Sequence, residues 1–242
     1  MDPVLSGIDV TPIDCFRDNY AFRIRCKSTG AVALVDPADP EAALAVIDDR
    51  LDAILCTHHH PDHVGGNEAL LKRFPDARVY GHASDRGRIP GLSHGVDQGD
   101  VIEIGAAKAR ILHVPGHTTG AIAYHFRDDV FTGDTLFIAG CGRLFEGNPA
   151  QMFDSMAKLR ALSPQTRVWV AHEYTESNLR FAAAVEPDNA AIATAQKRVE
   201  AMRVRGERTI PSTIELELKI NPFLRAESAQ VLAERRAAKD AF

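Results

Sequence analysis

The sequence predicts an α/β fold of two β-sheets, followed by a small α-helical domain. Three observations predict it. Short apolar or alternating runs separated by turn-rich segments fill the first two thirds of the chain; four histidines and a carboxylate crowd into His58–His63 directly after one such run; and from Thr175 the pattern changes to helix.

Composition bounds the answer before any motif does. The 242 residues, 45% of them hydrophobic, suffice for one large domain with an appendage. The opening Met1-Asp2-Pro3-Val4 shows no basic flank leading into an apolar run, and no later stretch approaches bilayer length, so a cytoplasmic enzyme with no membrane partner is expected. Cys15, Cys26, Cys56 and Cys141 have no paired spacing and read as reduced thiols. The net charge of −5 is uneven: from Asn178 onward 11 Lys and Arg stand against 9 Asp and Glu, so the tail is the more cationic part. That bias is too small for a nucleic-acid partner and suits an anionic small molecule.

The elements follow in order. Ile8 to Asp14, Ala21 to Cys26 and Ala31 to Val35 read as consecutive antiparallel strands. Pro40 to Asp49 opens with Pro then Glu and reads as a short helix. Asp52 to Thr57 is a buried strand, and Gly65 to Phe74, with Asp62 at the N-cap position, is the helix beyond the histidine loop. Val79-Tyr80 is a brief strand, and Ala83 to Gly99 a loop of unread function. Val101 to Ile104, Ala109 to Val114, Ala121 to Phe126 and Val130 to Thr132 form the second strand series. Ala150 to Leu162 is a helix and Arg167 to Ala171 a strand. Helices then run from Glu176 to Val185, from Asn189 to Arg205 and from Ala226 to Asp240. Thr209 to Asn221 fits a strand by its alternation and a helix by its Ser212-to-Glu215 capping box, and both stay open.

The candidate site residues all sit at strand ends. In an extended loop alternate side chains share a side, so His58 and His60 reach one point while His59 turns away. Those two would hold one metal, and Asp62 and His63, offered from another direction, a second. His117, in the turn Val114 to Gly120, points to the first metal; Asp134 and His172 follow later strands. A sandwich collects such loops at one edge. Imidazole and carboxylate suit zinc, iron or manganese. Asp36 and His59 are candidates for orienting the ligands. His82, His94, His113 and His125 read as structural or surface.

The pattern Thr57-His58-x-His60-x-Asp62-His63, then Pro115-Gly116-His117-Thr118, a Gly133-Asp134 after a strand and a last strand-end His172 resembles the metallo-β-lactamase fold superfamily, which implies an αββα sandwich. Longer strings, Gly133 to Arg143, Ala171 to Thr175 with Asn178 to Phe181, and Asn221 to Arg225, are similar to the glyoxalase II (hydroxyacylglutathione hydrolase) family over nearly the whole chain. The resemblance implies a catalytic domain over residues 1–173 and a helical glutathione-binding domain over 174–242. It implies two divalent metal ions per chain, zinc first, with iron or manganese open. His58, His60 and His117 would hold one, Asp62, His63 and His172 the other, and Asp134 would bridge them. Arg143, Tyr174, Arg236 and Lys239 would contact glutathione. One departure stands out: where the animal enzymes carry a further thiol-binding tyrosine, this chain has Phe145, which cannot donate a hydrogen bond.

The activity so implied is hydrolysis of S-(2-hydroxyacyl)glutathione thioesters, such as S-D-lactoylglutathione, to the hydroxy acid and glutathione, the second step of methylglyoxal detoxification. A metal pair lowers the pKa of bound water to about 7, so a bridging hydroxide attacks the carbonyl, with Asp134 orienting it and Asp62 beside it. The alternative on the same fold is a mononuclear glutathione persulfide dioxygenase; the extra ligands Asp62, His63 and His172 and the helical tail argue against it. β-Lactam hydrolysis has no use for the tail, and no nuclease-type insertion is visible. A monomer is expected, with a dimer left open.

Overall fold

A computed structural model describes residues 7–242; the chain start read above, Met1–Val4, lies outside the described residues. These residues form two units, one running up to His113 together with Gly120–Gly133, the other comprising Val114–Thr119 and Asp134–Phe242.

The first unit holds the strands β1 (Ile8–Cys15), β2 (Asn19–Cys26), β3 (Val32–Val35), β4 (Ala53–Leu55), β5 (Arg78–His82) and β6 (His94–Val96) in that spatial order. The first three are antiparallel, and β3 to β6 run parallel. β4 is central and buried along its whole length, which is why it reads as a bare apolar run. Helices α1 (Pro40–Leu44), α2 (Pro61–Val64) and α3 (Asn67–Arg73) lie between these strands in the chain, and Ala43, Val64 and Leu70 pack with Leu34, Ile54 and Val79. A second layer, in the order β10 (Asp129–Gly133), β9 (Ile122–Phe126), β8 (Ala107–His113), β7 (Val101–Ile104), is wholly antiparallel. Phe22 of β2 meets Phe131 of β10 with ring centroids 5.3 Å apart, so the two layers share a core.

The second unit contains the small hairpin β11 (Leu136–Phe137) and β12 (Gly140–Cys141), α4 (Pro149–Arg160), β13 (Arg167–Val170), α5 (Thr175–Val185), α6 (Ala190–Val204), β14 (Ser212–Thr213), α7 (Ile214–Ile220) and α8 (Ala229–Ala241). Asn148 caps α4 in a full capping box with Gln151, and Asn189 caps α6 as expected. The segment left open between strand and helix is mostly helix. Thr213, not Ser212, caps α7 through the Leu216 N–H, and Ile214, Glu217 and Ile220 share its buried face. Among the described residues no helix is long and apolar enough to cross a membrane.

Several local expectations need correction. Asp62 is not an N-cap: His60 holds that position for α2, because Pro61 supplies the first helical turn, and α3 starts separately after Gly66. The break has a steric cause, since a Cβ on Gly66 would stand 2.2 Å from the Pro37 carbonyl oxygen, which accepts the Gly66 N–H at 2.9 Å. The first short helix ends at Leu44, not Asp49. The unread loop from Ala83 to Gly99 contains β6, paired with β5 from Tyr80↔His94 to His82↔Val96. His82 and His113 stack with centroids 4.3 Å apart and an interplanar angle of 15°, and His82 Nε2 lies 3.4 Å from Asp97. With Asp97 the two histidines bring three ligand atoms within 4.8 Å of one another, so the structure gathers residues that read as structural or surface in the sequence into one polar cluster.

Candidate active site

In the first unit, the chain leaves the buried end of β4 as Cys56-Thr57 and turns through the histidine loop. His58 Nε2 and His60 Nδ1 lie 3.1 Å apart. Two nitrogens each about 2.0–2.1 Å from a zinc ion at a tetrahedral angle would be about 3.3 Å apart, so the pair is spaced for a shared ion. His59 turns away as expected, with Nδ1 3.6 Å from the fully buried Asp85 and Nε2 in contact with Arg88. The ring centroids of His63 and His58 lie 4.0 Å apart, and His63 Nε2 is 3.8 Å from Asp62 Oδ2.

The supporting contacts explain why these rings point where they do. Asp36 follows β3 with φ 46, a left-handed conformation that Asp tolerates better than most residues. Its carboxylate accepts from Thr57 N–H (2.7 Å) and Thr57 Oγ1 (2.6 Å), and pairs with His63 Nδ1 at 2.9 Å. A carboxylate on Nδ1 fixes the proton there and leaves Nε2 bare for a metal. Asn19 orients Asp62, donating from Nδ2 to Oδ2 at 3.1 Å.

The second unit brings together His117, Asp134 and His172. One oxygen of Asp134 lies 3.4 Å from His117 Nε2, and the other lies 3.4 Å from His172 Nε2. A carboxylate whose two oxygens face two different imidazoles has the shape of a bridging ligand. His117 Nδ1 bonds the Arg143 carbonyl at 2.8 Å, which again leaves Nε2 for coordination. The donor chemistry and these orientations fit divalent ions in both units. Gly142 is required where it sits, since a Cβ there would be 2.0 Å from the Asp134 carbonyl oxygen.

A cavity of about 380 Å³ opens on this half of the site. His117 and Asp134 line it together with Phe137, Arg143, Phe145 and Tyr174. Tyr174 stacks on His172, centroids 4.7 Å apart and rings 8° from parallel. Phe145 is exposed, its ring 5.2 Å from that of His117. Arg143 is exposed and 3.4 Å from Asp240. Lys239 donates to the Ser177 carbonyl at 3.0 Å, and burial together with Arg236 and Arg180 lowers its pKa from 10.5 to about 8. Arg236 also borders the cavity, but it is buried, donating to the Cys141 carbonyl at 2.8 Å and to Asp240 at 2.9 Å. Burial pushes the Cys141 thiol up to about 11, so it offers no thiolate nucleophile near neutral pH.

A layered α/β fold with His and Asp donors presented at strand ends defines a metal-dependent enzyme class, and residues 16–172 match the family model of the metallo-beta-lactamase superfamily. Residues 173–242 match that of the hydroxyacylglutathione hydrolase C-terminus. A hydroxyacylglutathione hydrolase of Synechococcus sp. (strain JA-2-3B'a(2-13)) is 47% identical over 96% of this chain and 99% of its own length. Another, of Thermosynechococcus vestitus, is 51% identical over 89% and 87%. The chain belongs to the hydroxyacylglutathione hydrolase family. Solved structures share its fold, among them ETHE1 from Myxococcus xanthus (TM-score 0.70, 24% identity, 96% of this chain and 90% of that one) and the BLEG-1 B3 metallo-beta-lactamase (TM-score 0.66, 22% identity, 91% and 100%).

The sequence names Asp36 and the seven His and Asp residues that the structure gathers into clusters. It does not name Asn19, Asp85, Asn178 and Glu217, because each acts across a long sequence separation and none carries a local signature.

Proposed function

We propose that the protein hydrolyses S-(2-hydroxyacyl)glutathione thioesters, S-D-lactoylglutathione among them, using two divalent ions, zinc first. His58, His60 and His117 would hold one ion, Asp62, His63 and His172 the other, and Asp134 would serve both. The observation that carries the reading is the two-sided carboxylate of Asp134 bordering a cavity lined by Arg143 and Tyr174. Full-length kinship with hydroxyacylglutathione hydrolases supports it.

When bound, the ions supply a hydroxide nucleophile at neutral pH and polarise the thioester carbonyl. The residues do the rest. Asp36 and the Arg143 carbonyl keep the protons of His63 and His117 on Nδ1. Asp134 would orient the nucleophile that the ions supply, and Asp62, held by Asn19, would assist it. Tyr174, Arg143, Arg236 and Lys239 receive the glutathione moiety, Arg236 chiefly by anchoring the Cys141 backbone and Asp240. The thiolate leaves readily because thiol pKa values lie near 8.5. We place the catalytic domain at residues 1–173 and the glutathione-binding domain at 174–242, in a cytoplasmic protein that is a monomer or a dimer.

The test is turnover of S-D-lactoylglutathione followed at the thioester absorbance, with metal content measured on the same sample. Fully metallated protein without turnover would sink the reading. Two further results are expected. Phe145→Tyr restores a hydroxyl beside His117 and should lower KM about five- to tenfold, the worth of one hydrogen bond, with kcat within about twofold; an unchanged KM places the thiol carrier elsewhere. Lys239 carries its charge below about pH 8 and loses it above. KM for the anionic substrate should therefore climb above that pH, and Lys239→Arg should abolish the climb.

A further inference from the structure

Hairpin β11–β12 carries Phe137, Cys141 and, just beyond it, Gly142 and Arg143 to the cavity. It is two residues per strand, and its turn residue Ala139 takes φ 53, so it needs ties from outside. Those ties come from buried side chains behind it. Asn178 Nδ2 donates to the Ile138 carbonyl at 3.0 Å, and Asn221 Nδ2 lies 3.0 Å from both the Phe137 and Gly140 carbonyls. Ala139 N–H donates to Glu217 Oε2 at 2.8 Å, and Asn221 Nδ2 is 2.9 Å from the same oxygen. An amide nitrogen has two hydrogens, so three acceptors share them and the carboxylate and the hairpin carbonyls form one network.

Glu217 is fully buried and lines none of the cavity. The groups that face it are Ala139 N–H from the hairpin, the Ser212 hydroxyl at 2.5 Å from β14, and Asn221 at the end of α7, all uncharged. The charged groups nearby are paired elsewhere: Glu215 with Lys219 on α7 at 2.8 Å, and Arg236 with Asp240 on α8 at 2.9 Å. Cys141, the titratable group of the hairpin, meets Arg236 at 3.8 Å. A buried carboxylate without a cation is a poor source of stability, so its use lies in what it holds.

We propose that Glu217 is the positioning residue for the thiol-carrier side of the site, fixing hairpin β11–β12 through Ala139 and Asn221 and thereby setting where Gly142 and Arg143 meet glutathione. This rests on the thioester-hydrolase reading above. Burial pushes the Glu217 carboxyl up to about 7. Above that pH it is a charged acceptor for Ala139 N–H, and below it a neutral acid with a weaker bond, since charge-assisted hydrogen bonds are roughly twice as strong. Glutathione affinity should therefore rise with pH between 6 and 7.5, below the range where Lys239 titrates.

The experiment compares the zinc-loaded wild type with Glu217→Gln and Ser212→Ala. For Glu217→Gln, KM for S-D-lactoylglutathione should rise about tenfold, the scale of one charged hydrogen bond, with kcat and metal content within about twofold. The Kd of glutathione, by calorimetry, should lose its dependence on pH around pH 7, while the change above about pH 8 from Lys239 remains. Ser212→Ala removes a donor to the carboxylate and should move the midpoint of that dependence upward, a readout that survives if the first variant does not fold. An unchanged KM and an unchanged pH profile, with only thermal stability altered, would reduce Glu217 to a structural group. A fall in kcat with lost metal would also overturn the proposal. Failure of the wild type to turn over or bind glutathione would instead remove the hydrolase reading on which it stands.

Discussion

Replacing Asp134 with Asn is expected to lower kcat for S-D-lactoylglutathione by on the order of 10³-fold or more, and to reduce bound metal from two ions per chain toward one. The side chain keeps its size, so the fold should persist. What changes is chemical: one of the two oxygens that face His117 and His172, each at 3.4 Å, becomes an NH₂ group. That group has no lone pair to offer and donates where a ligand must accept. The remaining oxygen is neutral, so the charge that offsets two cations is lost as well. Glutathione itself should bind within about twofold of the wild type, since Arg143, Tyr174 and Lys239 are untouched. Turnover retained in a variant with two bound metals would remove Asp134 from the bridging role.

The parts of this molecule that could be read from the chain are those whose causes are local. Histidines at alternate positions after a buried strand had to share a side, and His58 and His60 do. The strand β4 was visible because it is buried along its whole length, and the helix from Ala190 because Asn189 caps it. What escaped depends on distant chain. Asp62 looked like a cap until Pro61 and the approach of Pro37 set the helix ends. β6 exists through its pairing with β5 and has little pattern of its own. β11–β12 is too short for any period to show. Glu217 was hidden by a real ambiguity: Ile214, Leu216, Leu218 and Ile220 alternate like a strand, and only in α7 does the acid fall on the buried face. The polar groups that set geometry, Asn19 on Asp62 and Asn178 and Asn221 on the hairpin, each reach across 40 or more residues, which no local spacing encodes.

The contact between Asp36 and His63 yields the sharpest separation of chemistry from stability. Asp36 is buried, accepts from Thr57 N–H and Oγ1, and holds His63 Nδ1 at 2.9 Å. Asp36→Ala removes all three partners and leaves a buried N–H unmet, at about 1–3 kcal/mol for each such group. Both thermal stability and metal affinity should fall. Asp36→Asn separates the two effects. Its oxygen can still accept from Thr57 N–H, while its NH₂ faces His63 Nδ1 and donates to it. The ring proton then moves to Nε2, the nitrogen turned toward Asp62. A protonated nitrogen cannot coordinate, so metal affinity should drop by about 10–100-fold, the usual scale for losing a partner that orients a ligand. Melting temperature without metal should change little. Chelator competition measures the affinity, and nitrogen chemical shifts of His63 in metal-free protein report the tautomer. Wild-type metal affinity in Asp36→Asn, with the proton found on Nε2, would show that His63 does not bind through that atom.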